Sequence, residues 1–538
     1  MSTSPNAAQS APRRGKAAAA MVAAGILVSR LSGLIRERFF AHYLGTSLAA
    51  DAYRAAFRVP NMLQNMLGEG VLSASFIPVY ARLRAEGRHR EASELAEAIF
   101  ALLAMVASVV VALGILCAPL LVSLLVPGFH GEKRELTIAL VRIVFPGTGL
   151  LVFSAWCLGV LNSHGRFFLS YASGVVMNVA LIAALIWQGG VRGQGPVAVA
   201  FALSWAAVAG ALLQFGVQAP TVWKYLRPLL LRVPLSSVHV AAVLTAFVPV
   251  LISRGVMQIS GFIDLQLASF LPKGNVLLNY AQTLYMLPIS LFGMSVSAAE
   301  LPAMSSATGT DSQVATILRG RLGDGLQKIS FFVVPSAVAF FLLGNVVTST
   351  LYRTGRFSEQ DVMFVWAALA GSGVGMMAQT MARLYSSTFY ALRDTRTPLK
   401  YALVRVTLTL TLGYLCSLPL PRLLGIDSNW GVAGLTASAG VAGWLEFVLL
   451  RRGLQRRIGH LESSWARLGK LWAAAFMAAV LAIAAEWFLH MGHVFLRGVL
   501  LQGILVLAVY GVAYLLLTRW MGVAGPAEGL YRRLGLRP

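Results

Sequence analysis

The sequence predicts an all-α integral membrane protein with fourteen transmembrane helices. Of its 538 residues, 57% are hydrophobic and 12% are charged, whereas soluble domains carry about 25% charged residues. Mean hydropathy is +0.71, and apolar runs of about 20 residues, enough to cross a bilayer, follow one another along the chain. The net charge of +23 does not indicate nucleic-acid binding, because most Lys and Arg residues lie in short loops between these runs.

The apolar runs give the helix boundaries. The predicted helices cover residues 17–41, 48–81, 93–126, 136–162, 167–188, 196–220, 238–271, 275–303, 326–351, 361–391, 398–419, 429–451, 468–491 and 494–518. Residues 1–16 are polar and predicted to be a disordered tail. The first apolar run continues into charged sequence without a convincing cleavage site, so we interpret it as a retained helix rather than a signal peptide.

The loops predict the orientation of these helices. Positive charges concentrate on the cytoplasmic side of membrane proteins. With the N-terminus inside, the inside segments contain about three times as many Lys and Arg residues as the outside loops. One missed or invented helix would disturb this alternation downstream. The sequence therefore predicts an even number of spans with both termini in the cytoplasm.

The stretch from Ser29 to Pro78 carries charges that a lipid-facing helix would exclude. The charged residues within its two helical segments include Arg30, Arg36, Arg38, Asp51, Arg54, Arg58 and Glu69. A charge at bilayer depth costs a few kcal/mol or more, so such residues normally face a protein interior or a wet cavity. Several cations this close together indicate a cationic cavity for an anionic ligand.

Other charged residues within helices have two explanations. Arg254 lies deep in the seventh helix and is followed at helical spacing by Gln258 and Asp264, so this polar face is predicted to point inward. Arg38, Arg142 and Arg405 lie nearer helix ends, where we expect their side chains to extend to the membrane interface.

The sequence contains no recognisable enzyme motif. We find no P-loop, dinucleotide fingerprint or clustered His and Cys ligands, and the three cysteines lie far apart in apolar sequence. Neither an enzyme activity nor a cofactor or metal is therefore predicted. Without a soluble ATP-binding domain, transport would use an ion gradient or the membrane potential, and the sequence does not identify a coupling ion.

A weak internal repeat indicates two similar halves. VPNMLQNMLGEGVLSASFIPVYARL in the second helix resembles LPISLFGMSVSAAELPAMS in the eighth. Both segments contain Pro, small or polar residues, an acid and then Pro. A spacing of six helices favours two parallel six-helix lobes with two helices left over.

Several motifs resemble those of the MurJ (MviN) family of bacterial lipid II flippases, within the multidrug/oligosaccharidyl-lipid/polysaccharide exporter superfamily. They are SRLSGLIRE at 29–37, LG at 44–45, DAYRAAFRVPN at 51–61, GEGVLSASFIPVYA at 68–81, LNSHGRF at 161–167, YRTGRF at 352–357, FYALRDTRTP at 389–398 and GLTAS at 434–438. The resemblance implies an N-terminal lobe at 17–220, a C-terminal lobe at 238–451, a central cationic cavity and a lipid-tail groove at 468–518. Residues 519–538 would be a cytoplasmic tail.

The resemblance also implies a cargo and its binding residues. The cargo would be undecaprenyl-pyrophosphate bearing the peptidoglycan disaccharide-peptide, moved across the bacterial inner membrane. Membrane lipids are further expected partners, and the cell-wall synthesis machinery is a candidate one. Arg30 and Arg36 occupy the positions of two functional arginines of the family, and Asp51 and Glu69 those of two acids. Arg54, Arg58 and Arg254 are further candidate cations for the pyrophosphate.

Two departures from the family leave alternatives open. Gln64-Asn65 stands where the second helix of the family usually has Arg, and Ala281-Gln282-Thr283 replaces Ala-Asp-Arg in the eighth, with Met286 in place of a nearby glutamate. A flippase for another polyprenyl-linked saccharide is therefore the main alternative. A drug/cation antiporter fits less well, because the arginines would repel a cationic drug. In a non-transporting scaffold, the same charges would only join helices.

Overall fold

The computed structural model describes residues 25, 27–67, 69–226, 238–460, 465–491 and 498–528. Within these ranges the chain contains helices, turns and bends but no β-strand, which confirms the all-α prediction. The predicted tail at 1–16 lies outside the described residues, as does the end of the predicted tail at 519–538.

The chain forms two compact units, Met1–Gln266 and Leu267–Pro538. The first contains α1 at 27–44, followed by α2 Leu48–Leu67, α3 Glu69–Ala85, α4 His89–Leu116, α5 Ala118–Leu125, α6 Gly131–Ser163, α7 Phe167–Ala172, α8 Gly174–Leu185, α9 Pro196–Tyr225 and most of α10 Val238–Ser269. The second contains α11 Gly274–Pro288, α12 Ser295–Ser305, α13 Asp311–Leu342, α14 Gly344–Tyr352, α15 Glu359–Ala391, α16 Arg396–Ser417, α17 Pro419–Leu423, α18 Gly431–Ile458, α19 Trp465–Met491 and α20 Val499–Trp520.

Within the described residues, each of the fourteen predicted segments contains helix, and several segments are divided. Eleven of the described helical segments are long and apolar enough to cross a membrane. The segments at α1, at α2–α3 and at α10 are not among these eleven. The chain is therefore a multi-pass membrane protein, while the count of fourteen spans stays a prediction.

Local sequence explains where helices break. α4 ends at Leu116 and α5 begins at Ala118, with Pro119 in its first turn, where the missing N–H removes no intrahelical hydrogen bond. Pro288 ends α11 and is followed by a wider π-helical turn, Ile289–Met294, that leads into α12. In that turn a Cβ on Gly293 would lie 2.3 Å from Thr380 Cγ2, so glycine allows close contact with α15.

The first unit has its core between α3, α4, α6 and the beginning of α10. Phe76 and Tyr80 of α3 are among its largest buried side chains, and Val240 and Val243 of α10 belong to the same core cluster. The prediction assigned α10 entirely to the C-terminal lobe, whereas its first turns pack within the first unit. The predicted lobe boundaries otherwise stay a prediction.

The second unit is built around α15, the most buried of its membrane helices. α15 and α18 meet through glycines: a Cβ on Gly375 would lie 2.3 Å from Gly440 Cα, and a Cβ on Gly371 would lie 2.3 Å from Thr436 Oγ1. Small residues let transmembrane helices approach closely and gain dispersion energy. Any larger side chain at Gly375 would separate the two helices.

Candidate functional site

The charged stretch forms a compact ion-pair cluster within the first unit. Glu37 of α1, whose side chain is 2% exposed, pairs with Arg36 on the same helix and with Arg54 on α2. Arg36 Nη2 donates to Glu37 Oε1 at 2.7 Å, and Arg54 Nη1 donates to the same oxygen at 3.3 Å. The Arg54 guanidinium also lies 3.8 Å from the centre of the Phe40 ring. One buried carboxylate thus interacts with two arginines, and these three residues together carry a net charge of +1.

The side chain of Asn178 on α8 also holds Arg36. Arg36 Nη1 donates to Asn178 Oδ1 at 2.9 Å. Asn178 Nδ2 in turn donates to Ser32 Oγ at 2.8 Å, and Ser32 Oγ donates to the Ser29 carbonyl at 2.8 Å. The Arg36 side chain therefore links its own helix, α1, to α8. This side chain is 29% exposed.

Asp51 is buried and forms an ion pair at the beginning of α2. Its carboxylate pairs with the ammonium of Lys133 in α6, and the two side chains are 1% and 13% exposed. Lys133 Nζ also lies 3.9 Å from the centre of the Phe129 ring. In this structure Asp51 therefore joins α2 to α6.

Arg30 lies on the same helix as Arg36 and is exposed. With Ser29 of α1 it lines a polar pocket of about 290 Å³, together with Ser170, Tyr171, Ser173 and Gly174 around α7 and α8 and with Gln214 of α9. We call it the serine pocket. Ser170 is 2% exposed, and its hydroxyl has no hydrogen-bond partner within the described part of the chain.

The remaining candidate residues are only partly described. Arg58 approaches α10, since a Cβ on Gly261 would lie 3.1 Å from Arg58 Nη2. The backbones of Glu69 and Arg254 lie in α3 and α10, but their side chains lie outside the described part of the structure. The predicted inward face of Arg254 therefore stays a prediction.

The structure also describes the surroundings of Gln64 and Thr283, the two positions at which the sequence departs from the family motifs. Gln64 lines a small pocket between α2 and α6 with Asn61 and Thr148. Thr283 donates its hydroxyl to the carbonyl of Asn279 in its own helix at 2.9 Å. Neither position supplies a cation.

The second unit contains a charged pair that the sequence interpretation missed. Arg405 of α16 and Glu446 of α18 form an ion pair, with Arg405 Nε 3.1 Å from Glu446 Oε2. The expected extension of Arg405 to the membrane interface stays a prediction. The pair joins these two helices, which follow one another in the chain apart from the short α17. Arg383 of α15 lies within charge-interaction range of both groups.

Comparison with known proteins identifies the family. A family model described as Lipid II flippase MurJ matches residues 40–502. The chain belongs to the MurJ family. The lipid II flippase MurJ of Burkholderia cenocepacia is 33% identical over 470 residues, which cover 86% of this chain and 87% of that protein. The probable lipid II flippase MurJ of Rhizobium tropici is 30% identical over 524 residues, 95% of each chain.

Solved structures show the same fold. A lipid II flippase MurJ in an inward closed conformation matches with a TM-score of 0.74 and 21% identity, covering 95% of this chain and 99% of the other. An inward-facing MATE multidrug transporter matches with a TM-score of 0.63 and 18% identity, covering 80% and 95%. The fold match to a solved MurJ structure therefore agrees with the family that the sequence motifs resemble.

The site contains residues that sequence reasoning overlooked. Glu37 and Asn178 organise Arg36, yet neither was a candidate. Glu37 had a usable signal, since an acid next to Arg36 within an apolar helix requires a nearby cation. Asn178 had none, because its contact with α1 joins residues 142 positions apart.

Proposed function

We propose that the chain is a lipid II flippase, which moves the undecaprenyl-pyrophosphate-linked peptidoglycan precursor from the inner to the outer leaflet by alternating access. The match to the MurJ family over residues 40–502 carries this proposal. The protein is then a transporter rather than an enzyme, and its cargo is lipid II.

The charges of the first unit suit such a cargo. Guanidinium groups bind phosphate oxygens through two parallel N–H donors, and this pairing is strong where water is scarce. Arg30 is the exposed cation of the group, while Arg36 is partly exposed and held by Glu37 and Asn178. A pyrophosphate would compete with Glu37 for Arg36 and Arg54, so Glu37 would act as the counter-ion of these arginines when no cargo is bound.

Physical constraints favour this mode of transport. The polyprenyl tail can remain in lipid while the polar head crosses through a cavity between two six-helix lobes. An inside-negative potential favours outward movement of anionic charge by about 2.3 kcal/mol per charge per 100 mV. The membrane potential or an ion gradient would therefore supply the driving force.

The proposal includes the finer architecture. Fourteen spans place both termini in the cytoplasm, and the two lobes surround a cationic cavity. The last two helices, α19 and α20, form a groove for the lipid tail. The protein would reside in the bacterial cytoplasmic membrane, with the cell-wall synthesis machinery as a candidate partner.

Complementation tests the function directly. Expression of the chain in a bacterium depleted of its own lipid II flippase should restore growth and the appearance of lipid II in the outer leaflet. Protein that inserts in the membrane in normal amounts but fails to restore either would contradict the proposal.

A second cargo has a specific observation in its favour. Gln64 and Thr283 stand where the resembling family has arginine, and the Thr283 hydroxyl bonds to its own helix. Weaker cationic binding would suit a different polyprenyl-linked saccharide. Transport of such a lipid by purified protein in vesicles, without transport of lipid II, would favour this alternative.

A further inference from the structure

The serine pocket combines three kinds of group around one small volume. Arg30 supplies a cation, Ser29 and Ser170 supply hydroxyls, and Tyr171 supplies an aromatic ring. Its volume of about 290 Å³ is close to the lower limit for small-molecule sites. All of its lining residues belong to the first unit.

A hydrogen-bonded chain fixes the polar wall of this pocket. Gln214 Nε2 donates to Ser154 Oγ at 3.0 Å, and Ser154 Oγ donates to Gln218 Oε1 at 3.0 Å. Gln218 Nε2 donates to Ser173 Oγ at 2.5 Å, and Ser173 Oγ donates to the Ser170 carbonyl at 3.0 Å. One N–H of the Gln214 amide is used in this chain, which leaves its amide oxygen and its second N–H for a ligand.

Ser170 provides an independent indication of a ligand. Buried polar groups nearly always have a hydrogen-bond partner, yet the Ser170 hydroxyl, in a residue 2% exposed, has none within the described residues. Its backbone carbonyl is already engaged by Ser173. A bound group that reaches Ser170 would satisfy the hydroxyl.

We propose that the serine pocket binds the sugar unit next to the pyrophosphate of a lipid-linked saccharide, with Arg30 at its edge toward the phosphate. This inference rests on the proposed function and deepens it. A sugar hydroxyl can both donate to Gln214 Oε1 and accept from Ser170, whereas a phosphate oxygen at neutral pH can only accept. The Tyr171 ring would pack against the apolar face of the sugar.

The test compares lipid II with a lipid that lacks its saccharide. Purified full-length protein in nanodiscs is titrated with lipid II and with undecaprenyl pyrophosphate, which has the same tail and a pyrophosphate but no sugar or peptide. Because the free terminal phosphate of this second lipid can carry one more negative charge, the test depends on how each variant changes the affinity for each lipid. Ser170→Ala and Gln214→Ala should each weaken lipid II binding by about three- to tenfold, the loss of roughly one hydrogen bond, and leave undecaprenyl pyrophosphate binding unchanged.

Ser204→Ala is the matched control. Ser204 is a fully buried serine of α9 in the same unit, and its hydroxyl donates to the Ala200 carbonyl of its own helix at 3.0 Å. This variant should bind both lipids as wild type does. Thermal unfolding of all variants in the same nanodiscs would exclude a general folding defect.

The outcomes separate the two proposals. Unchanged lipid II binding by Ser170→Ala and Gln214→Ala, or equal weakening of both lipids by these variants, overturns the saccharide site while the flippase proposal stands. Failure of wild type to bind either lipid overturns the proposed function itself, and the saccharide site with it.

Discussion

Arg54 of α2 and Glu37 of α1 form an ion pair across two consecutive helices, with Arg54 Nη1 3.3 Å from Glu37 Oε1. The carboxylate is almost completely buried and also accepts a hydrogen bond from Arg36. The pair thus connects the first two helices at the position where the sequence concentrates its positive charge.

Replacing Glu37 by Gln should destabilise the protein strongly. The change leaves Arg36 and Arg54 next to each other without their shared carboxylate, and breaking a buried ion pair costs about 3–5 kcal/mol. Thermal unfolding in detergent measures the effect. Addition of Arg54→Met to Glu37→Gln should restore part of the stability, and Glu94→Gln, in an exposed pair with Arg90, should have little effect. A Glu37→Gln protein as stable as wild type would contradict the role of Glu37 as counter-ion.

The arginines of α1 should differ in their effects on transport. Arg30→Ala and Arg36→Ala should each reduce the outer-leaflet appearance of lipid II more than tenfold, about 1.4 kcal/mol or more of lost interaction with the cargo. Arg38→Ala should reduce it less, because we expect Arg38 to extend toward the interface. Membrane levels of each variant provide the control. Equal losses at all three positions would instead indicate a general effect on folding.

The ion pair between Asp51 and Lys133 should show strong energetic coupling. Asp51→Asn and Lys133→Met each remove one member of a buried pair, and each should destabilise the first unit. In the double variant the loss should be smaller than the sum of the single losses by about 0.5–3 kcal/mol. Additive losses in thermal unfolding would mean that the two side chains do not stabilise each other.

Asp394, between α15 and α16, should contribute stability that depends on pH. A hydrogen bond from the Thr397 hydroxyl, a second from its backbone N–H and the charge of Arg457 lower the pKa of Asp394. A lowered pKa contributes stability above the unfolded-state pKa of about 3.9 and loses it as pH falls through the folded-state value. Asp394→Asn should therefore be less stable than wild type at pH 7, because the amide carries no charge to pair with Arg457, and the difference should shrink below pH 4. A difference independent of pH would contradict this assignment.

Membrane topology can be tested with single cysteines. In a variant without Cys117, Cys157 and Cys416, the substitutions His130→Cys and Gln194→Cys should react with an impermeant thiol reagent added outside intact cells. Arg88→Cys and Gln455→Cys should react only after permeabilisation. Any site that reacts from the opposite side would overturn the assignment of fourteen spans with both ends in the cytoplasm.

The sequence was sufficient for the helices but not for most of the contacts between them. Hydropathy placed helices over all fourteen segments, because burial in lipid depends on composition more than on partners. It also marked Arg30, Arg36 and Asp51 as unusual. It could not show that Lys133, just before the predicted helix at 136–162, pairs with Asp51, or that Arg405 pairs with Glu446. Such pairs depend on which helices are neighbours and on their relative height, and neither follows from the pattern along one helix.

The contact between Gly375 and Gly440 limits how the second unit can change shape. Where a single methyl group finds no room, α15 cannot roll or slide on α18 without first separating from it, since packed interfaces resist continuous deformation. We therefore expect the α15–α18 pair to move as one rigid body. Strain has to be taken up elsewhere in the unit. The π-helical turn Ile289–Met294 is suited to that, because its extra residue per turn can shift along the helix and rotate the segment beyond it.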